Sequence, residues 1–172
     1  MERGWVQVYT GEGKGKTTAA LGLALRACGS GLRVFLVQFA KGRPSGELAA
    51  LARFADLVTV RQFGREGFIL GEPEPEDREL ARAGWREARR AAGDGGYDLL
   101  ILDEIGIALH YGLVDTAEVL ALVRDKPAGL ELVLTGRCMP GEILQAADLV
   151  TEMREVKHYH ARGVPARRGI EY

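Results

Sequence analysis

Lys16 and Thr17 close the run Gly11-Glu12-Gly13-Lys14-Gly15-Lys16-Thr17-Thr18, which carries the plainest chemistry in the chain. Glycines at 11, 13 and 15 let backbone N–H groups turn inward, and a helix N-terminus following them adds a positive dipole. A lysine that neutralises phosphate oxygens and a threonine hydroxyl that holds magnesium complete a grip for a triphosphate. The spacing departs from G-x-x-x-x-G-K-[ST]: Thr10 stands where the first glycine would be, and the glycine comes one place later. A glycine-rich turn with a chance Lys-Thr is the bland alternative. The alternating strand before the loop and the helix-forming run Ala19–Leu25 after it argue against that alternative.

Asp103 and Glu104 are the second chemical pair. They follow the apolar run Leu99-Leu100-Ile101-Leu102, and the carboxyl end of a parallel strand is where ligands bind. There they can hold magnesium directly or through water, or merely cap the next helix. Thr135-Gly136-Arg137 ends another strand, where a guanidinium can fork onto phosphate or simply sit at the surface beside a turn. Gln38-Phe39-Ala40-Lys41-Gly42 ends the second strand at the same edge and invites the same two readings. His158 and His160 would share one face of a strand, but neither His110 nor any other residue completes a zinc site. There is no G-x-S-x-G elbow, and neither Cys28 nor Cys138 sits in an activating context.

The elements that must position these residues alternate regularly. Strands are predicted over 5–9, 33–39, 57–63, 98–102 and 130–134, with a sixth at 149–153. Helices are predicted over 17–28, 46–54, 76–92, 116–125 and 140–147, with starts at Asp115-Thr116 and Pro140-Gly141. This pattern predicts an α/β fold: a mostly parallel central sheet with helices on both faces. Gly64–Pro75 is the longest irregular stretch, hence a functional or a disordered loop, and His158–Tyr172 reads as an irregular tail.

A length of 172 residues predicts one domain spanning residues 1–172. A net charge of −1 and pI near 6.3 give no electrostatic footprint for nucleic acid. Eighteen Arg against five Lys says nothing about function. Two cysteines without a C-x-x-C pairing fit a reduced, cytoplasmic setting without structural zinc. The chain opens directly on a strand, leaving no room for a signal peptide. No apolar run approaches the roughly 20 residues of a membrane span.

Taken together, the motifs resemble the ATP:corrinoid adenosyltransferases of the cobalamin-synthesis type. The likeness runs through Thr10–Ala20, Val37–Gly42, Gly46-Glu47, Gly67-Phe68, Leu102–Glu104, Thr135–Arg137, Val156–His158, Gly163-Val164 and Gly169–Tyr172. The shifted glycine of the loop is itself a mark of that family. The resemblance implies a P-loop NTPase fold of the RecA-like class, with ATP reversed in the loop so that its C5′ carbon faces the second substrate. It implies transfer of the 5′-deoxyadenosyl group of ATP to cobalt(I) of a corrinoid, with release of triphosphate.

Carried over residue by residue, Gly11, Glu12, Gly13, Lys14, Gly15, Lys16, Thr17, Thr18 and Arg137 would bind ATP. Thr17 and Glu104 would hold Mg2+, with Asp103 supporting from the first or second shell of ligands. Phe68, Ile69 and Leu70 would cover the lower face of the corrinoid, displacing its axial ligand so that cobalt(II) is easier to reduce. The implied partners are ATP, reduced corrinoid, an electron-donating flavoprotein reductase and a second copy in a homodimer, with no nucleic acid and no membrane.

Two departures stand out. Many members carry Phe-Thr-Trp where this chain has Phe68-Ile69-Leu70, which halves the aromatic wedge. Several have a helical N-terminal extension where this chain begins Met1-Glu2-Arg3-Gly4, so any lid made by that extension is expected to be absent. Two rival readings remain. A P-loop nucleoside kinase would bring a four-cysteine zinc lasso, which two cysteines cannot supply. A RecA-like ATPase module acting on nucleic acid would call for basic loops.

Overall fold

The structure, a computed structural model, describes residues 2–67, 69 and 71–171. The apolar runs form six strands: β1 (Val6–Thr10), β2 (Val34–Phe39), β3 (Val58–Phe63), β4 (Leu99–Asp103), β5 (Glu131–Thr135) and β6 (Leu149–Glu152). They make one sheet in the order β3-β2-β4-β5-β1-β6, and every pairing in it is parallel. Between the strands lie α1 (Lys16–Gly29), α2 (Gly46–Leu51), α3 (Pro75–Gly93), α4 (Ile105–His110), α5 (Thr116–Asp125) and α6 (Gly141–Ala146). No helix among the described residues is long and apolar enough to cross a membrane.

The sheet is covered on both sides, which is why β2 and β4 are buried at every position. On one face Phe35, Val37, Leu100, Leu102, Leu132 and Leu134 pack beneath Trp85 of α3, Ile105 of α4, Val119 of α5 and Ile143 of α6. On the other, Val34, Leu36, Leu99, Ile101 and Val133 meet Ala20, Ala24 and Ala27 of α1. The small alanines let α1 lie close to the strands. Each large aliphatic side chain buried this way contributes about 1.5–3 kcal/mol relative to exposure.

Strand alternation then aims the chemistry. Gln38, Asp103 and Thr135 continue the parity of Leu36, Ile101 and Val133, so they lie on the α1 face at the carboxyl edge. The register fixes their proximity, with Gln38 opposite Asp103 and Leu102 opposite Leu134.

Local chemistry sets the helix starts. α3 opens with Pro75 in its first turn and a reciprocal capping box between Glu74 and Asp77. Asp77 also takes a two-pronged bond from Arg65, at 2.8 Å on each oxygen, which ties the Gly64–Pro75 stretch to the helix. At α5, the Asp115 side chain accepts the Ala117 amide at 2.8 Å.

Three departures from the sequence reading have physical reasons. α4 went unpredicted because Ile-Gly-Ile-Ala-Leu-His lacks polar alternation and is mostly buried. The predicted helix over 46–54 is α2 followed by a tighter 3-10 turn, Ala52–Phe54. The tail is partly ordered by a 3-10 turn at Tyr159–Arg162, capped by the left-handed Gly163. β6 forms as expected, but as an exposed edge strand.

Candidate active site

The loop between β1 and α1 is held open from below. Met153, just past β6, accepts the Gly13 amide at 2.7 Å and donates its own amide to Thr10 at 2.8 Å. At Gly11 (φ 94°) a Cβ would come within 2.5 Å of the Met153 carbonyl, so this position requires glycine. The displaced glycine of the motif is therefore the one that packs on β6.

Lys16 opens α1 with only 6% of its surface exposed. Its ammonium donates to the carbonyls of Gly11 at 2.6 Å and Gly13 at 2.9 Å, so it bridges the loop it belongs to. Burial pushes its pKa down, against the opposing pull of Glu104. Lys14 turns away from the loop and donates to Ile170 O and the Glu171 carboxylate.

Asp103 is the hub of the site. Its Oδ1 accepts Thr17 Oγ1 at 2.9 Å and Thr135 Oγ1 at 2.7 Å, and its Oδ2 accepts Gln38 Nε2 at 3.0 Å and Lys41 Nζ at 2.8 Å. Four donors occupy this buried carboxylate. That supports an orienting role for Asp103 and leaves Glu104 as the carboxylate with oxygens to offer.

Glu104 adopts a left-handed backbone (φ 61°), a strained conformation for a non-glycine residue that clusters at functional sites. Its amide donates to Thr135 Oγ1 at 2.9 Å. Burial, then the nearby Asp103 charge, raises its carboxyl pKa. Thr17, Glu104 and Asp103 present hard oxygens, a donor set that suits magnesium. The Lys41 ammonium, 3.3 Å from Thr17 Oγ1, already places one positive charge against two of these groups.

Arg137 is half exposed and pairs with Glu12 at 3.4 Å. An exposed pair of this kind contributes little and gives way readily to a phosphate. Gly13–Thr18, Lys41, Glu104 and Arg137 line one cavity of about 1010 Å³. Leu21 and Leu25 of α1 and Phe54 give it an apolar side, and Gly169, Ile170 and Glu171 close it from the tail.

Most predicted site residues are thus brought together. Ile69 is not among the residues lining this cavity; it packs, partly buried, against the core on the opposite face of the sheet from α1. Phe68 and Leu70 lie outside the described residues. Sequence reasoning did not find Thr135 and Gln38 as partners of Asp103, nor Glu171 as the anchor of Lys14. Strand parity was the available signal for the first two. For Glu171 no local signal exists, because its partner is 157 residues away.

Residues 2–172 match the family described as ATP:corrinoid adenosyltransferase BtuR/CobO/CobP. A corrinoid adenosyltransferase of Pseudomonas aeruginosa is 40% identical over 174 residues, covering 99% of this chain and 85% of that protein. The corrinoid adenosyltransferase of Escherichia coli K12 is 38% identical over 177 residues, covering 99% of this chain and 87% of that protein. The same figures hold for corrinoid adenosyltransferase CobA of Salmonella typhimurium. With a glycine-rich loop, Glu104 and an arginine around one cavity, and likeness along nearly its whole length, the chain belongs to the ATP:corrinoid adenosyltransferase family.

Proposed function

We propose that this chain transfers the 5′-deoxyadenosyl group of ATP to cobalt(I) of a reduced corrinoid and releases triphosphate, in synthesis or salvage of adenosylcobalamin. One observation carries the reading: the Lys16 and Arg137 cations and the Thr17 and Glu104 oxygens converge on one cavity. Such a site suits neutralisation of a leaving triphosphate.

Cobalt(I) supplies the electron pair that forms the Co–C5′ bond. The C5′–O bond breaks, and its pair leaves on the triphosphate. No proton is removed, so no protein base is required. The work left to the protein is orientation of C5′, neutralisation of the leaving group and exclusion of water. Gly11–Thr18 and Arg137 hold the phosphates, with Lys16 leaving the Gly11 and Gly13 carbonyls to meet them. Thr17 and Glu104 would hold magnesium, and Asp103 fixes the Thr17 hydroxyl. A magnesium ion bound there would supply further charge neutralisation on the triphosphate oxygens.

The stretch Gly64–Pro75, which carries Phe68, Ile69 and Leu70 in sequence, is the proposed corrinoid wall, and Arg65 at its start is tied to Asp77 of α3. A cytoplasmic homodimer of single-domain chains, supplied with electrons by a flavoprotein reductase, completes the proposal. Incubation with ATP and chemically reduced cobalt(I) corrinoid, followed by chromatography, tests it. Equal amounts of triphosphate and adenosylcorrinoid are expected; ADP as the nucleotide product would mean phosphoryl transfer instead.

A further inference from the structure

Lys41 occupies a place that no phosphate-binding motif assigns to it. Its Nζ stands 2.8 Å from Asp103 Oδ2 and donates to Thr17 Oγ1 at 3.3 Å. The Thr17 hydroxyl gives its proton to Asp103, so a metal at Thr17 would need a lone pair on that oxygen. The ammonium already takes one of the two lone pairs on that oxygen and sets a positive charge beside the other. Asp103 is 1% exposed, and Lys41 is the cation bonded to it among the described residues. The other donors, Thr17, Thr135 and Gln38, are neutral.

The backbone at Lys41 is held in place while its side chain reaches the edge of the cavity. Ala40 takes a left-handed conformation (φ 51°), and its amide donates to Phe63 O at 2.9 Å. The chain then crosses Gly64 so closely that a Cβ there would lie 2.2 Å from the backbone nitrogen of Lys41. The Lys41 side chain is 31% exposed and borders the nucleotide cavity. Its long stem can swing from Asp103 towards a triphosphate without moving the backbone.

We infer that Lys41 is a placeholder cation: it neutralises Asp103 and blocks Thr17 while the site lacks nucleotide, so that a divalent metal binds only together with ATP. This rests on the reading that Thr17 and Glu104 hold the metal, with Asp103 orienting the Thr17 hydroxyl. A buried carboxylate without a counter-charge is costly, so Lys41 keeps the nucleotide-free site stable. An ammonium and a divalent ion repel each other strongly at such range. The arriving triphosphate offers Lys41 another partner and supplies the remaining metal ligands in the same event. Free metal alone offers neither.

The test uses the full chain, with Mn2+ as a paramagnetic substitute for Mg2+, read by electron paramagnetic resonance with and without ATP. Without nucleotide, Lys41→Met should bind Mn2+ at least tenfold more tightly than the unmodified protein. Mg2+ alone should raise the melting temperature of Lys41→Met and leave that of the unmodified protein unchanged. Lys41→Arg, which keeps the charge, should behave as the unmodified protein. If Lys41→Met does not fold, Lys41→Gln provides the same comparison, since it can still hydrogen-bond Asp103. Nucleotide-free Mn2+ affinities within twofold of each other would overturn the placeholder role. The underlying metal-site reading is checked separately by Glu104→Gln, which should weaken the Mn2+ signal in the presence of ATP. Retention of that signal in both Glu104→Gln and Thr17→Val would put the metal elsewhere and overturn the inference with it.

Discussion

Thr135 Oγ1 donates to Asp103 Oδ1 at 2.7 Å and accepts the amide of Glu104 at 2.9 Å. One hydroxyl on β5 thus fixes the side chain of the first carboxylate and the strained backbone of the second. Thr135→Val keeps the shape but leaves the Glu104 amide unpaired and Asp103 Oδ1 with Thr17 as its remaining donor. Loss of about 1–3 kcal/mol of stability is expected from such an unpaired group, measured by urea unfolding, with adenosylation reduced. Thr135→Ser should restore both. A Val variant with unaltered stability and rate would show that the hydroxyl orients nothing.

Lys16 bridges two loop carbonyls and lines the cavity proposed to take ATP. Lys16→Ala should cost about 2–4 kcal/mol of transition-state stabilisation, the scale for loss of one preorganised charge contact. Steady-state kcat/KM with excess cobalt(I) corrinoid measures this. Rates near those of the unmodified protein would remove Lys16 from the catalytic account.

How far the sequence predicted this arrangement depended on the range over which each signal acts. The phosphate loop and the Asp103-Glu104 pair are local patterns, and both lie where the strand–helix alternation put them. The parallel sheet followed from the alternation of strand and helix patterns, and the continuous apolar run at Leu99–Leu102 suits a strand covered on both faces. α4 was hidden because a short buried helix shows no polar face. The contacts of Asp103 with Gln38 and Thr135 needed the strand order, which no local pattern encodes. Lys41 was visible only as a residue at a strand end; its pairing with Asp103 depends on the β2–β4 register.

Glu171 binds the tail to the phosphate loop. Its carboxylate accepts from Arg167 at 2.7 Å through the backbone and at 3.2 Å through the guanidinium, from Lys14 at 3.3 Å, and from the Tyr159 hydroxyl. The Arg167 bonds, then Tyr159, hold its pKa well below the ordinary 4.5. A depressed carboxylate contributes stability that is present above the unfolded value and is lost as pH falls towards the folded one. Cleavage of the tail by an acid-active protease should therefore speed up as pH drops below 4.5. Glu171→Gln should show a loosened tail already at neutral pH by hydrogen exchange, with a raised KM for ATP. Equal exchange in the two proteins at neutral pH would disprove the tie.

Phe68 sits in the loop proposed to face the corrinoid. Phe68→Ala should slow adenosylation starting from cobalt(II) more than the reaction from chemically prepared cobalt(I), because the apolar wall acts on axial-ligand displacement before reduction. Leu70→Trp should help the cobalt(II) reaction or leave it unchanged. If Phe68→Ala instead loses the roughly 3–5 kcal/mol typical of a buried Phe, with full activity in the folded fraction, the side chain is core packing.

The central claim is transfer of the C5′ carbon, and it can be followed atom by atom. ATP carrying 13C at C5′ is incubated with the protein, magnesium and cobalt(I) corrinoid, and the purified corrinoid is examined by carbon NMR. The account predicts the label in a cobalt-bound methylene, with unlabelled triphosphate released. Label remaining in ADP or AMP, with no carbon on cobalt, would contradict it.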